Sequence, residues 1–150
     1  MRILCTIATV ANFITASLAI AAEGLIVVES PYGPEETMDR LESEVKDREL
    51  NVFARIDHAA GANKIGKSLR PTAVLIFGNP KGGTPFMECT QSVGVDLPLK
   101  ALVWEDSASR IWVGYNDPAY LAQRHGVADC GVVPNLQKAL QGIVDAAVTD

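Results

Sequence analysis

The stretch LKALVWEDSASRIWVGYN (residues 99–116) reads as a β-hairpin and gives the clearest indication of the architecture. Two runs rich in β-branched and aromatic residues flank a turn at residues 107–109. With a loop of this length, Trp104 faces Trp112 across the hairpin. The pair either covers the core or presents an exposed interface patch. An antiparallel sheet is therefore expected around the hairpin.

Further strands are predicted on the N-terminal side of the hairpin. PTAVLIFGN (71–79) is an unbroken apolar run, which is typical of a strand covered on both faces. NVFARID (51–57) alternates between two faces, and one of these faces holds Val52, Ala54 and Ile56. GLIVVES (24–30) is short, apolar and suited to a buried first strand. These segments supply the rest of the sheet.

Helical segments are predicted in residues 34–48, 58–69, 117–126 and 134–148. In the first of these, Pro34 fits the first helical position, and one face holds Met38, Leu41 and Val45. The last carries an apolar stripe of Leu136, Leu140, Ile143, Val144 and Ala147. The predicted fold class is α+β, with helices packed on a mainly antiparallel sheet. Early alternation of strands and helices leaves a mixed sheet possible.

The first residues, MRILCTIATVANFITASLAIAAEG, indicate a cleavable signal peptide over residues 1–22. Arg2 precedes a mostly apolar stretch, and the small residues Ala19 and Ala21 suit signal-peptidase recognition. An uncleaved anchor or a buried helix are the alternatives, but polar side chains within the stretch make a poor spanning helix. We therefore predict an exported, periplasmic protein. Its single α+β domain covers residues 23–150, with no stable membrane insertion after cleavage.

The charge and the cysteines bear on partners and compartment. Removal of Arg2 moves the formal charge from −5 to −6, and an acidic surface repels nucleic acid and anionic lipid, so no nucleic-acid partner is expected. Cys5 would leave with the signal peptide, while Cys89 and Cys130 would remain in an oxidising compartment. Those two are either joined in a disulfide, the candidate we carry forward, or buried separately as small hydrophobic residues.

The glycine-rich stretch IFGNPKGGTPF (76–86) invites comparison with a phosphate-binding loop. Such a loop needs a lysine and a hydroxyl residue directly after its second glycine. Here Thr84 follows Gly83, and Lys81 precedes it, so nucleotide hydrolysis is not supported. We interpret the stretch as a glycine turn between a strand and a short helix, with Thr84 as the cap and Pro85 as the first helical residue. The lysine and arginine side chains in this part of the chain either form a local anion-binding site or lie at the C-terminal end of a helix, where positive charge is favourable.

Several motifs resemble, in order and at matching spacing, the domain of unknown function 302 family. They are ARIDHAAGA (54–62), LIFGNPKGGTPFM (75–87), VDLPLKALVWED (95–106) and VGYNDPAYLAQRHG (113–126). The resemblance implies a small α+β fold similar to the TATA-binding-protein-like architecture, and no established reaction. Carried over to this chain, the family's pattern touches Asp57, His58, Gly78, Asn79, Pro80, Thr84, Met87, Asp96, Leu97, Pro98, Tyr115 and His125.

The candidate ligand-binding residues are His58, Asn79, Lys81, Thr84, Asp96 and Tyr115. His58 ends a predicted strand and opens a helix, where it either faces a cleft as base or ligand or only completes a hydrogen-bond network. We expect a small, anionic ligand in a pocket formed by His58 and residues 78–84, with Gly82 and Gly83 letting backbone N–H groups approach it.

Other functions stay open at this point. One alternative is a small hydrolase or isomerase with His58 as general base, and another is a structural homodimer formed through the tryptophan hairpin. The motifs that mark a serine nucleophile, a zinc site or a cofactor are missing from the sequence, so we assign no catalytic residue, metal or cofactor.

Overall fold

The computed structural model describes residues 22–149, so all but the last residue of the predicted signal peptide lies outside it. The strands are β1 Leu25–Ser30, β2 Asn51–Asp57, β3 Thr72–Gly78, β4 Leu99–Glu105 and β5 Ile111–Asn116. The helices are α1 Pro34–Asp47, α2 His58–Lys64, α3 Pro80–Cys89, α4 Pro118–Arg124 and α5 Val133–Val148, with a 3-10 turn at Gln91–Val95. Each strand and helix predicted from the sequence is present, and the predicted α+β class is confirmed.

The strands form one sheet in the order β1-β5-β4-β3-β2, and every neighbouring pair is antiparallel. The alternative of a mixed sheet is therefore wrong. Because β2 and β3 run in opposite directions, the C-terminal end of β2 lies at one end of the sheet and the C-terminal end of β3 lies at the other. We call the end that holds Asn51, Gly78 and Leu99 the cleft end, and the end that holds Asp57, Thr72 and the β4–β5 turn the hairpin end.

Helices α1 and α5 pack together on one face of the sheet and bury the main core. Pro34 is the first residue of α1, as predicted. The predicted face of this helix, made of Met38, Leu41 and Val45, is buried. The apolar stripe predicted for α5 is buried as well. Leu75, Phe77 and Val113 supply the sheet's side of this core. Apolar spacing along both helices was thus sufficient to identify the packed surfaces.

The opposite face of the sheet is only partly buried. Trp104 lies directly across from Trp112, as predicted, and its ring covers Gly114, where an added Cβ would come 2.8 Å from Trp104 Cζ3. Val74 and Ile76 alternate onto this face and belong to neither buried cluster, unlike Leu75 and Phe77. The prediction that β3 is covered on both faces is therefore wrong. An unbroken apolar run does not reveal whether a second layer packs on the sheet.

Strand β2 departs from the predicted alternation through a β-bulge. Val52 pairs with Phe77 on the core face, but the register shifts before Ala54, which pairs with Ile76 on the other face. The extra residue at the bulge is Phe53, whose side chain is 57% exposed. One inserted residue turns the rest of a strand over, so Val52 and Ala54 do not share a face as expected.

A second buried cluster lies at the cleft end. Phe86 of α3, Val93 of the 3-10 turn and Leu121 of α4 pack together there. Cys130 joins this cluster and forms a disulfide with Cys89, with their Cα atoms 6.0 Å apart. This disulfide agrees with the predicted pairing, and it ties the end of α3 to the segment that leads into α5.

None of the helices between residues 22 and 149 combines the length and the apolar composition that a membrane span requires.

Candidate functional site

Helix α3 begins five residues earlier than the sequence predicted. Asn79 is its N-cap, with Oδ1 accepting a hydrogen bond from Gly82 N at 2.9 Å, and Pro80 takes the first helical position. Asparagine followed by proline is a stronger start signal than the predicted threonine cap. Thr84 and Pro85 therefore lie inside the helix. Gly82 and Gly83 belong to its first turn and do not form a free loop.

Helix α3 forms one wall of a cleft of about 630 Å³ at the cleft end of the sheet. The start of β2, the segment before β4 and one side of α5 form the other walls. Its lining consists of Leu50, Phe53, residues 78–84, Met87, Gly94, residues 97–99, Val132, Asn135, Leu136, Ala139 and Ile143. Gly82 lets α3 approach α5 closely, because an added Cβ would lie 3.3 Å from Leu136 Cδ2. The volume is in the range of small-molecule sites.

The polar groups of the cleft come mostly from α3. Lys81 and Thr84 are exposed on its first turns, and Asn79 has its Oδ1 engaged by the helix cap, which leaves its side-chain NH₂ to donate to a ligand. The Gly82 N–H is taken by Asn79 Oδ1 and the Gly83 N–H by the Asn79 carbonyl, at 3.1 Å. The expectation that these glycines offer N–H groups to a ligand is therefore wrong.

Two large apolar side chains at the cleft remain in contact with solvent. Phe53, at the bulge of β2, is 57% exposed, and Met87 on α3 is 36% exposed. Exposed apolar side chains that share one concavity are typical of surfaces that a ligand or partner covers. The cleft therefore favours a mostly apolar molecule.

His58 does not belong to the cleft. It follows Asp57, which pairs with Ala73 at the hairpin end, whereas Gly78 pairs with Asn51 at the cleft end. Six residues of extended strand correspond to about 20 Å. His58 is exposed, and within residues 22–149 its side chain makes no hydrogen bond or ion pair. The expected pocket around His58 is therefore wrong, and the alternative that uses His58 as general base lacks an acidic partner there.

Tyr115 does not line the cleft either. It is 4% exposed and packs within the main core, on the face of β5 that α1 and α5 cover. Burial raises the pKa of its hydroxyl, and the nearby Asp145 and Asp117 raise it further. The prediction that Tyr115 contributes to a ligand pocket with Asn79 and Thr84 is therefore wrong.

Asp96 lies beside the cleft and is turned away from its lining. Its Oδ2 is 2.6 Å from His125 Nε2, and its Oδ1 accepts from Arg124 Nη1 at 3.0 Å. Lys100 donates to the Asp96 carbonyl at 2.7 Å and to the Pro98 carbonyl at 3.0 Å, and burial lowers the pKa of Lys100. Asp96 thus pairs with His125, a residue to which the sequence assigned no role.

Sequence reasoning missed the apolar part of the cleft. Leu50, Phe53 and the α5 residues gave no recognisable signal, because an apolar residue at a helix or strand position is interpreted as core. The positions carried over from the family resemblance did point to this region: Gly78, Asn79, Pro80, Thr84, Met87, Leu97 and Pro98 all line the cleft. Of the six predicted ligand-binding residues, the structure brings Asn79, Lys81 and Thr84 together.

Comparison with known proteins supports the resemblance found in the sequence. Residues 26–147 match the family model described as "Domain of unknown function DUF302". The crystal structure of an uncharacterized conserved DUF302 protein from Bacillus stearothermophilus superposes with a TM-score of 0.74 at 21% identity. The match covers 84% of this chain and 99% of that one, and at this identity it shows the fold alone.

Two curated relatives are considerably longer than the matched region. The "Fluoride-specific ion channel FluC 1" of Brucella suis biovar 1 (strain 1330) is 46% identical over 109 residues, which cover 73% of this chain and 43% of the relative. The protein of the same name from Brucella abortus biovar 1 (strain 9-941) is also 46% identical over 109 residues, covering 40% of its length. The chain thus spans less than half the length of these relatives.

Proposed function

This chain belongs to the DUF302 family, and from that premise we propose that it binds a small, largely apolar ligand with an acidic head group in the cleft between α3 and α5. The observation that carries the proposal is the exposure of Phe53 and Met87 within one concavity. Covering these side chains removes apolar surface from water, which stabilises the complex by about 25 cal/mol per Å².

The acidic head group is inferred from the polar groups at one side of the cleft. Lys81 supplies a positive charge, Thr84 a hydroxyl, and Asn79 the NH₂ of its side chain. All three lie at the start of α3, Asn79 as its N-cap, whereas the opposite wall is formed largely by Leu136, Ala139 and other apolar residues. A ligand with one anionic end and an apolar body satisfies both sides.

The proposal rests on the cleft and not on the names of the relatives. The Brucella channels are named for fluoride, but the matched region accounts for less than half of each. An apolar cleft of about 630 Å³ fits an organic molecule much larger than a fluoride ion.

Decanoate and decanol provide a matched pair of probes, because they share an apolar chain and differ in charge. We expect decanoate to bind more tightly than decanol in isothermal titration calorimetry. Lys81→Gln should weaken decanoate binding about three- to fivefold, the size expected for one partly exposed ion pair, and leave decanol binding unchanged. Lys138→Gln, on α5 outside the cleft, is the control.

The position of the ligand is tested separately. Ala139→Phe adds a large side chain to the cleft wall and should abolish binding of both probes without unfolding the protein. Binding that survives this substitution, or that responds equally to Lys138→Gln and Lys81→Gln, contradicts the proposal.

A further inference from the structure

Three side chains outside the cleft form a continuous hydrogen-bonded triad. Ser92 Oγ is 2.9 Å from His125 Nδ1, and His125 Nε2 is 2.6 Å from Asp96 Oδ2. Ser92 and Asp96 come from the 3-10 turn and the residue after it, while His125 is the C-cap of α4. A hydroxyl, an imidazole and a carboxylate in this sequence are the components of nucleophilic serine catalysis.

The hydrogen bonds fix the tautomer that a neutral His125 adopts. A carboxylate only accepts, so the bond to Asp96 requires the proton of a neutral imidazole to be on Nε2. Nδ1 then has a free lone pair directed at Ser92, and the Ser92 hydroxyl donates to it. His125 is thereby oriented as a base toward Ser92 Oγ.

Burial separates the base and the acid from the nucleophile. The side chains of His125 and Asp96 are 9% and 14% exposed, whereas Ser92 is exposed. Thr90 Oγ1, at 3.2 Å from Ser92 Oγ, can donate to it while Ser92 donates to His125. A substrate can therefore reach Ser92 Oγ from solvent while the imidazole stays shielded.

The elements that carry the triad are held rigidly. Val93, next to Ser92, is completely buried in the cleft-end cluster together with Leu121 and Ala122 of α4. Arg124 fixes the second oxygen of Asp96 at 3.0 Å. A rigid support that keeps three groups in hydrogen-bonding distance is what preorganised catalysis requires.

We propose that Ser92 is the nucleophile of an esterase site, with His125 as general base and Asp96 as the residue that positions it. Ser92 Oγ attacks the carbonyl carbon of a carboxylic ester while its proton moves to His125 Nδ1. The bond between that carbon and the alcohol oxygen breaks, and the alcohol leaves with the proton from His125. Water then attacks the acyl-serine and gives its proton to His125, which returns it to Ser92 Oγ as the acid departs.

An ester is the favoured substrate class because an alcohol is a better leaving group than an amine. Ester hydrolysis therefore needs less transition-state stabilisation from the site than peptide cleavage does. The proposal does not depend on ligand binding in the cleft, since neither Ser92 nor His125 lines it. Failure of one proposal therefore leaves the other standing.

Two measurements on the intact protein test the site, namely hydrolysis of p-nitrophenyl acetate and covalent labelling with a fluorophosphonate probe mapped by peptide mass. We expect one label, on Ser92, and at least a hundredfold loss of kcat/KM in Ser92→Ala and His125→Gln. Ser68→Ala, at another exposed serine, should change neither measurement. Because Ser92 is exposed, Ser92→Ala should melt at the same temperature as the unmodified chain.

Asp96→Asn tests the positioning role. The amide introduced by this substitution can donate to His125 Nε2 and favour the opposite tautomer, so kcat should fall with little change in KM. If Ser92 is unlabelled in folded protein, or if Ser92→Ala retains the rate of the Ser68→Ala control, the triad only fixes the end of α4 and the esterase proposal is overturned. A fall in melting temperature for Asp96→Asn with kcat unchanged contradicts its positioning role.

Discussion

Both ends of the sheet carry polar side chains next to strand ends, but the two ends differ in how much buried structure supports the segments that carry these side chains. At the cleft end, a buried cluster and the Cys89–Cys130 disulfide support α3, the 3-10 turn and α4. At the hairpin end, α2 has no buried residue, and His58 is exposed. His125, at the end of α4, is therefore held by Ser92 and Asp96 on elements that pack on the buried cluster, whereas His58 follows a strand at an end that has no such support.

The hairpin end is ordered locally by one carboxylate. Asp106 accepts hydrogen bonds from Trp112 Nε1 at 2.9 Å, from Arg110 Nε at 2.9 Å and from the Ala108 backbone N–H at 2.8 Å. These donors, the Trp112 indole first, hold the pKa of Asp106 well below its ordinary value. Both tryptophans of the chain lie in this hairpin, so intrinsic fluorescence reports on the hairpin end alone.

The largest effect is expected from removing the disulfide at the cleft end. Closing a loop with a sequence separation of 41 residues should stabilise the fold by about 4 kcal/mol. Cys89→Ser with Cys130→Ser should lower the free energy of unfolding by that amount in urea titrations, while the native tryptophan emission stays unchanged. A stability loss under about 1 kcal/mol would show that the buried cluster alone holds this end together.

Substitutions at two matched helix caps test the difference between the two ends of the sheet, and we expect their effect on stability to be of intermediate size. Asn79 caps α3 through Gly82 N at 2.9 Å, and Asp57 caps α2 through Ala60 N at 2.8 Å. Asn79→Ala should cost about 1 to 2 kcal/mol because α3 is part of the cooperative fold. Asp57→Ala should cost about 0.5 kcal/mol or less, since α2 buries no side chain and can fray without disturbing the core. Equal losses in urea unfolding would contradict the difference between the two ends.

The smallest effect is expected from Asp106→Asn, and it should depend on pH. The pKa of Asp106 is lowered in the folded protein, so its contribution is complete above the ordinary value of 3.8 and is lost as pH falls through the folded value. The urea midpoints of the two proteins should therefore differ by a constant amount between about pH 5 and 7, and this difference should begin to shrink below about pH 4. The same substitution should shift the native tryptophan emission, whereas a gap that widens in acid would refute the assignment.

Local patterns predicted the fold well because they describe packing between near neighbours. The spacing of Met38, Leu41 and Val45 identified the buried face of α1, and the hairpin length correctly paired Trp104 with Trp112. The bulge at Phe53 was missed because a single inserted residue leaves the apolar pattern of β2 looking regular. The sequence of one strand also does not show whether a second layer of the fold covers the sheet.

The candidate site was only half predictable. Residues 79–84 lie close together in sequence, and the structure keeps them together at the cleft. His58 was expected to join them because it too follows a strand, but antiparallel pairing sends it to the other end of the sheet. His125 contacts Asp96 across 29 positions and Ser92 across 33, and spacing offers no signal for contacts of that range.

The pairing of β1 with β5 also bears on how the protein is made. Strand β1 is translated before the other four strands, yet 81 positions separate Ser30 from its partner Ile111. Strands β2 to β5 pair with their neighbours in order of synthesis, so that part of the sheet can assemble as it emerges. Helix α1 packs against α5, and α5 is complete only when Val148 has been translated. Helix α1 therefore reaches its packing partner even later than β1 does. The first strand and the first helix of the described fold are therefore among the last elements to reach their native positions.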